Sequence, residues 1–198
     1  MIIIGLGYEK GVGKDTVAQM IMSHFTAAHI PALRRAFADA LKEECAQMVA
    51  EYFNLDASIV LAEMHSDDPG VKQRWRLLMQ WWGSEGWRHE DRDHWIKVLR
   101  LWIEVKETAN KALADKTFLF IPDVRFQNEA EFIKRNGGLL IRVERPGCGG
   151  QDSHASENDL VNYTGWDARI SNDDSWSVLE RKAYEMYTWL RSWAKCDV

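Results

Sequence analysis

The sequence predicts an α/β fold, a parallel sheet covered by helices on both faces. Short runs of β-forming apolar residues alternate along the chain with amphipathic helical stretches. Parallel strands require crossover connections, and those connections place helices on the faces of the sheet. The first apolar run also leads straight into a glycine-rich bend that opens a helix, an arrangement that gathers backbone N–H groups at a helix N-terminus. At 198 residues the chain has the length of one well-buried domain.

The elements follow in order. Ile2 to Ile4 reads as a strand, and Asp15 to His24 as a helix whose apolar face carries Val17, Met20, Ile21 and Phe25. Leu33 to Phe37 is a second strand and Asp39 to Tyr52 a second helix, followed by a helical middle. Thr117 to Ile121 (TFLFI) is rich in β-formers, Gln127 to Arg135 is a helix ended by Gly137-Gly138, and Leu139 to Val143 (LLIRV) is a strand. The ten tryptophans fit this frame. Trp95, Val98, Leu99, Trp102 and Ile103 recur at helical spacing, as do Trp176, Leu179, Ala183, Met186, Leu190 and Trp193 within a helix from about 173 to 194. That periodicity predicts core packing for these aromatics rather than ligand stacking. No repeat or low-complexity segment interrupts the chain. The glycine-rich stretch PGCGGQDSHASE, Pro146 to Glu157, fits either a mobile loop or a passive surface connection.

Charge and cysteines narrow the class. A net charge of −5 gives no general attraction to nucleic acid or anionic membrane, so any phosphate site has to be local. Cys45, Cys148 and Cys196 are odd in number and widely spaced, which predicts reduced thiols rather than a disulfide frame or a zinc site. The chain opens on a buried-type strand without a basic leader and has no apolar run near the roughly twenty residues of a membrane span, so a soluble, cytoplasmic protein is expected.

The bend GYEKGVGKDT poses the main question. In the pattern G-x-x-x-x-G-K-[ST], counting back from Gly13-Lys14 puts Tyr8 at the first glycine and Asp15 at the hydroxyl position. The context is nonetheless that of a phosphate loop. Gly11, Val12 and Gly13 let the backbone approach an anion, and Lys14 supplies a mobile point charge for the β- and γ-phosphates of a nucleotide. Asp15, in the first helical turn, is favoured by the macrodipole and need not face the cradle, while Thr16 offers a hydroxyl one residue later. A loop without Ser/Thr at position 15 coordinates Mg²⁺ less directly. This favours a small-molecule kinase, its metal held by phosphates, waters and a remote carboxylate, over a switch-type GTPase. The candidate carboxylate is Asp123 in FLFIPDVRF, at the C-terminal end of an apolar strand, with Arg125 two residues on. An acid there can hold Mg²⁺ directly or through water, and the arginine can pair with phosphate; an ordinary strand-helix turn is the competing reading.

Several segments together resemble the bacteriophage deoxynucleoside monophosphate kinases, relatives of the adenylate kinases among P-loop kinases. They are GVGKDTVA (Gly11 to Ala18), FADALKE (Phe37 to Glu43), RLLMQWWGSEGWR (Arg76 to Arg88), DHW (Asp93 to Trp95), PDVRFQNEAEFIKRNGGLLIRVERP (Pro122 to Pro146) and HASE (His154 to Glu157). The resemblance implies a three-layer α/β/α fold with a central, mostly parallel five-stranded sheet and helical acceptor-binding and lid insertions. Residues 1–198 would then form one domain, with the acceptor-binding region at about 39–113 and a lid-like loop at about 146–157. It further implies transfer of the γ-phosphoryl group of ATP to a deoxynucleoside 5′-monophosphate (dNMP), with Mg²⁺ at Asp123 and Thr16.

Lys14 and Thr16 match the family loop, which here is one residue longer. The family's acceptor acid corresponds to Asp39, a residue that could equally cap the helix starting there. Arg76 and Gln80 share a helix face away from much of the Trp75, Leu78, Met79, Trp82 stripe, and glutamine offers a base edge both donor and acceptor. Arg88, after Gly83 and Gly86, is placed to reach the acceptor phosphate or to sit solvated on the surface. Asn128 and Glu129 either orient the Asp123-Arg125 turn or start a helix. Arg145 resembles the hinge into the lid, whose motif is His154, Ser156 and Glu157, with Glu157 also toward the acceptor. Lys14, Arg88, Arg125 and Arg145 would supply the positive charge that phosphoryl transfer needs. The expected partners are ATP and a dNMP, with no direct nucleic acid or membrane contact, a homodimer left open, and the host cytoplasm as the location if the chain is phage-encoded. Two rivals stand: a small-molecule kinase resembling dephospho-coenzyme A kinase, and a nucleotide-binding regulatory or DNA-associated ATPase suggested by FLFIPD and the tryptophan-rich helices. No basic strip with interleaved aromatics favours the second.

Overall fold

In the computed structural model, which describes residues 1–66, 68–111, 117–148 and 159–195, the chain divides into two compact units. One is Met1–Ala36 with Ile103–Val198, and the other is Phe37–Trp102.

The first unit holds β1 (Ile2–Gly7), α1 (Lys14–Ala27), β2 (Ala32–Arg34), β3 (Phe118–Val124), β4 (Leu139–Glu144) and β5 (Ala168–Ser171). The strands form one sheet in the order β2-β3-β1-β4-β5, every neighbouring pair parallel. Successive residues of a strand point to opposite faces, and both faces are covered. Ile4, Leu6, Phe118, Phe120, Ile141 and Val143 share a core with Val17, Ile21 and Phe25 of α1 and with Leu179, Ala183, Tyr187 and Leu190 of the C-terminal helix (Trp176–Trp193). Phe25 anchors it, its ring 4.3 Å from that of Phe118 and edge-on to Tyr187 at 4.8 Å. The helix Gln127–Arg135 covers the alternate residues: Ile133 packs toward Gly5 and Leu140 and is fully buried. In chain order these helices are α7 (Gln127–Arg135) and α8 (Trp176–Trp193). The expected three-layer α/β/α arrangement is thus present.

The second unit is helical: α2 (Phe37–Phe53), α3 (Ala57–His65), α4 (Pro69–Gln80), a π-helical segment (Trp81–Trp87), α5 (Arg88–Glu90) and the start of α6 (His94–Ala109). Local sequence sets the helix starts. Asp56 caps α3 by accepting from Ser58 N at 2.8 Å, and Asp68 caps α4 by accepting from Gly70 N and Val71 N, with Pro69 in the first turn where its missing N–H costs nothing. Cys45, Ala46, Val49, Val60 and Met64 form its core, flanked by Trp75, Leu78, Met79 and Trp82. The indoles keep partners for their N–H groups: Trp75 donates to Glu63, Trp82 to Glu44 and Trp95 to the Gly83 carbonyl, each at 3.1 Å.

Three features depart from the sequence reading. The second strand stops at Arg34, and Phe37 is already the first residue of α2. The fifth strand, ARIS, has a single buried side chain, so an edge strand this short leaves no apolar run to recognise. Trp176 and Trp193 are 66 % and 42 % exposed rather than core. Both lie at the ends of the 18-residue helix, beyond its buried residues Leu179 and Leu190. Among the described residues, no helix is long and apolar enough to cross a membrane.

Candidate active site

The loop between β1 and α1 answers the puzzle of Tyr8. Its backbone has φ 99°, a conformation that glycine adopts freely and a bulky side chain rarely does. Tyr8 therefore does with strain what the first glycine of the motif would do without it. Two contacts hold it there. The Arg142 guanidinium lies 3.7 Å over the centre of its ring, and Lys14 Nζ donates to its carbonyl at 3.1 Å. Burial pushes the Tyr8 phenol above its ordinary value; a hydrogen bond with Glu9 adds to this and the Arg142 charge opposes it. Arg142 is itself fixed by Glu144, 2.5 Å from its Nε.

Beyond Tyr8 the loop turns through Gly11 (φ 80°) and Gly13 (φ 88°), and Gly13 is the N-cap of α1. A Cβ on Gly13 would meet the Asn172 amide at 2.5 Å, and that amide donates to the Val12 carbonyl at 2.9 Å, so backbone and neighbour both demand glycine. The first turn of α1, at Lys14, Asp15 and Thr16, presents N–H groups that have no acceptor within the helix, at its positive end. Lys14 is buried and also donates to the Glu9 carbonyl, so its ammonium lies over the loop. The Asp15 carboxylate accepts from Arg34 Nη2 at 2.8 Å and Nε at 3.2 Å. It is thus engaged with β2, and its contribution to an anion at the loop reduces to its backbone N–H.

The C-terminal edge of the sheet flanks the loop on both sides. Gly7 pairs with Val124 on β3 and with Arg142 on β4, so Asp123 and Arg125 stand on one side of the bend and Arg142 and Arg145 on the other. This is where open parallel sheets bind ligands. Strand β3 runs past its apolar stretch through Pro122, and its register with β1 slips by one residue there: Gly5 faces Ile121 but Gly7 faces Val124. Proline cannot donate to a ladder, so the extra residue falls where a bond would be missing, and Asp123 stands directly after it. The turn that follows is fixed by Glu129, 2 % exposed, whose Oε2 accepts from Arg125 N at 2.8 Å and Phe126 N at 3.1 Å. Asp159 adds a second clamp by accepting from Gln127 N at 2.7 Å. Asn128 sits in the first turn of α7, half-buried.

In the helical unit, Asp39 is the third residue of α2 and is buried, so it lies in the first helical turn rather than at the N-cap. Arg76 and Gln80 are on α4, and Arg88 follows the π-helical segment, its Nη1 3.5 Å from the Arg92 carbonyl. His154, Ser156 and Glu157 lie outside the described residues.

A family model for deoxynucleotide monophosphate kinases matches residues 50–183. The chain belongs to the deoxynucleotide monophosphate kinase family. A protein of Acanthamoeba polyphaga mimivirus, provisionally named deoxynucleotide monophosphate kinase, is 30 % identical over 186 residues, 87 % of this chain and 89 % of its own. The family match begins well after Gly13, so the geometry of the phosphate loop is an observation independent of it. For a kinase of this family, Asn172 is the residue that sequence reasoning missed: 160 positions from Val12, its role arises only when β5 pairs with β4 and its own N–H bonds the Glu144 carbonyl at 2.7 Å. Lys182 of α8 steadies that turn by donating to Ser171 and Asp173. Hydrogen bonds from Lys182 and Ser171 hold the Asp173 carboxyl below its ordinary range. Arg142 stands within β4 as a lone charge in the apolar run LLIRV.

Proposed function

We propose that this chain transfers the γ-phosphoryl group of ATP to a deoxynucleoside 5′-monophosphate, giving ADP and the deoxynucleoside diphosphate. The observation that carries the reading is the bend at Gly11–Thr16: glycine-shaped turns at a helix N-terminus, under a buried lysine, at the C-terminal edge of a parallel sheet in a chain of this family. Phosphoryl transfer asks little covalent chemistry of the protein; it asks for in-line placement and for positive charge around the moving group. Lys14 and the N–H groups of residues 11–16 take the donor phosphates. Arg125 and Arg145, on either side of the loop, and Arg88 of the helical unit supply further charge. Asp39, Arg76, Gln80 and Asn128 belong to the acceptor, and the segment containing His154, Ser156 and Glu157 is the lid.

Among the described residues no group of three or more His, Cys, Asp or Glu could cage a metal. The donors at the loop, one carboxylate at Asp123 and one hydroxyl at Thr16, suit Mg²⁺, which keeps most of its waters and is carried largely by nucleotide phosphates. Bound there, Mg²⁺ would neutralise charge on the β- and γ-phosphates.

The test is ADP release coupled to NADH oxidation, with ATP as donor and all dNMPs and NMPs, dUMP included, as acceptors. Turnover with at least one dNMP is expected, falling by about 10²-fold or more in Lys14→Ala while circular dichroism is unchanged. Turnover with none of them would refute the reading. Activity on dephospho-coenzyme A alone, or DNA-stimulated hydrolysis without an acceptor, would transfer the assignment to one of the two rivals.

A further inference from the structure

The helical unit contains a feature that the proposed reaction does not by itself require, the π-helical segment Trp81–Trp87 between α4 and α5. Along two adjoining lines of this stretch burial repeats every four residues. Arg76, Gln80, Ser84 and Arg88 are all half-buried, while the next line, Leu77, Trp81, Glu85 and His89, is exposed throughout. A straight α-helix cannot sustain such a pattern. At about 100° per residue a four-residue step drifts by about 40°, so three steps would turn Arg88 about 120° away from Arg76. In a π-turn the backbone bonds i to i+5 and one additional residue is absorbed. The twelve residues from Arg76 to Arg88 then wind like eleven, about three turns, which returns Arg88 to within roughly 20° of Arg76. Packing on the inner side agrees, since Gly83 meets Leu41 of α2 and its carbonyl receives the Trp95 indole.

We infer that the π-helical segment sets the register of an acceptor-reading face, aligning Ser84 and Arg88 with Arg76 and Gln80 along one line of the rod. The inference rests on the kinase reading above and names the surface by which it selects its acceptor. The order of groups fits a nucleoside monophosphate lying lengthwise. Arg88 has the fork for the phosphate, Ser84 a hydroxyl for the sugar, and Gln80 and Arg76 the donors and acceptor for a base edge. Ser84 is the new member of the site, and Glu85, exposed and next to it, is the residue whose removal restores α-helical winding.

Calorimetric titration tests this on the full-length chain, with dAMP, dGMP, dCMP and dTMP in turn and, separately, a nonhydrolysable ATP analogue with Mg²⁺. For whichever monophosphate binds the wild type, Ser84→Ala and Arg76→Ala should each raise Kd several-fold, and deletion of Glu85 about tenfold or more, the loss of one hydrogen bond to a charged group. The analogue's Kd should stay within twofold. If Ser84→Ala and Arg76→Ala leave monophosphate binding unchanged while Arg88→Ala weakens it, the aligned face is not the reader and the inference fails, although the kinase reading stands. If the wild type binds the analogue but no monophosphate, both fail. Should the deletion variant not fold, the two point variants decide alone.

Discussion

Replacing Tyr8 by Gly, Ala and Phe separates two opposed effects at one loop position. Holding a non-glycine residue at φ 99° costs on the order of 1–2 kcal/mol. The Arg142 guanidinium 3.7 Å above the ring returns about 0.5–1 kcal/mol at this half-exposed site. Tyr8→Ala keeps the strain and loses the ring, so it should destabilise by about 1 kcal/mol. Tyr8→Gly loses the ring and the strain but makes the unfolded chain more flexible by about 0.5–1 kcal/mol, and should end near the wild type. Glycine should therefore be more stable than alanine by about 0.5–1 kcal/mol, roughly 1–4 °C in Tm for a chain of this length. Tyr8→Phe keeps the ring and loses only the hydrogen bond with Glu9, so it should fall between the wild type and the alanine variant. The assay is reversible urea unfolding followed by tryptophan fluorescence, with scanning calorimetry as the check. An alanine variant as stable as the glycine variant would mean that the chain does not hold this backbone conformation, and the account of the missing motif glycine would be wrong.

The same structure makes three shorter predictions. Glu129→Ala leaves the N–H groups of Arg125 and Phe126 without their buried carboxylate acceptor and should destabilise by about 3 kcal/mol or more, whereas Glu129→Gln keeps an oxygen in place and should lose less; urea titration orders the two. Because the folded-state carboxyl of Asp173 titrates below its unfolded value, its contribution is present above the usual carboxylate range and disappears as pH falls through the lowered value; Asp173→Asn should flatten the decline of Tm below about pH 4. Cys45 is fully buried, its thiol pushed up to about 12 by burial with Glu44 adding to the shift, so iodoacetamide at pH 8 should leave it unmodified in the folded protein and label it in urea, as peptide mass spectrometry would show.

Much of the fold was legible because burial leaves periodic marks. Val17, Met20, Ile21 and Phe25 are the buried face of α1, and Leu119 to Ile121 reads as the continuous apolar run of a strand covered on both sides. The loop was legible from strand and helix context even with two motif letters absent. What was not legible depends on long-range pairing or on a single residue's conformation. Asn172 reaches Val12 only through the β4–β5 ladder, and β5 itself buries too little to mark the sequence. Pro122 inside FLFIPD argues on local grounds against a central strand, and only the register with β1 shows that it occupies a bulge. The Trp75, Leu78, Met79, Trp82 stripe looks α-helical to its end, because the π-turn begins just where the stripe stops being informative.

These local departures have a common form. The loop holds a tyrosine at a left-handed backbone position, β3 carries one residue more than β1 across the bulge, and the π-helical segment absorbs one residue more than an α-helix would. Each costs something locally: a strained tyrosine, a missing ladder bond, a helical turn of poorer geometry. A core gains nothing from such departures, and an inserted residue shifts the register on which its packing depends. In every case the side chain concerned lies at or next to a charged group of the proposed site: Tyr8 below Arg142 and Lys14, Asp123 beside Arg125, Ser84 and Arg88 in line with Arg76. Sequences that fold well agree with their structure at most positions and break local rules where function demands a particular direction. On that reasoning, restoring glycine at position 8 or deleting the extra residue at the bulge or the π-turn should spare or raise stability more readily than it spares catalysis, whereas substitutions in the periodic core should do the reverse.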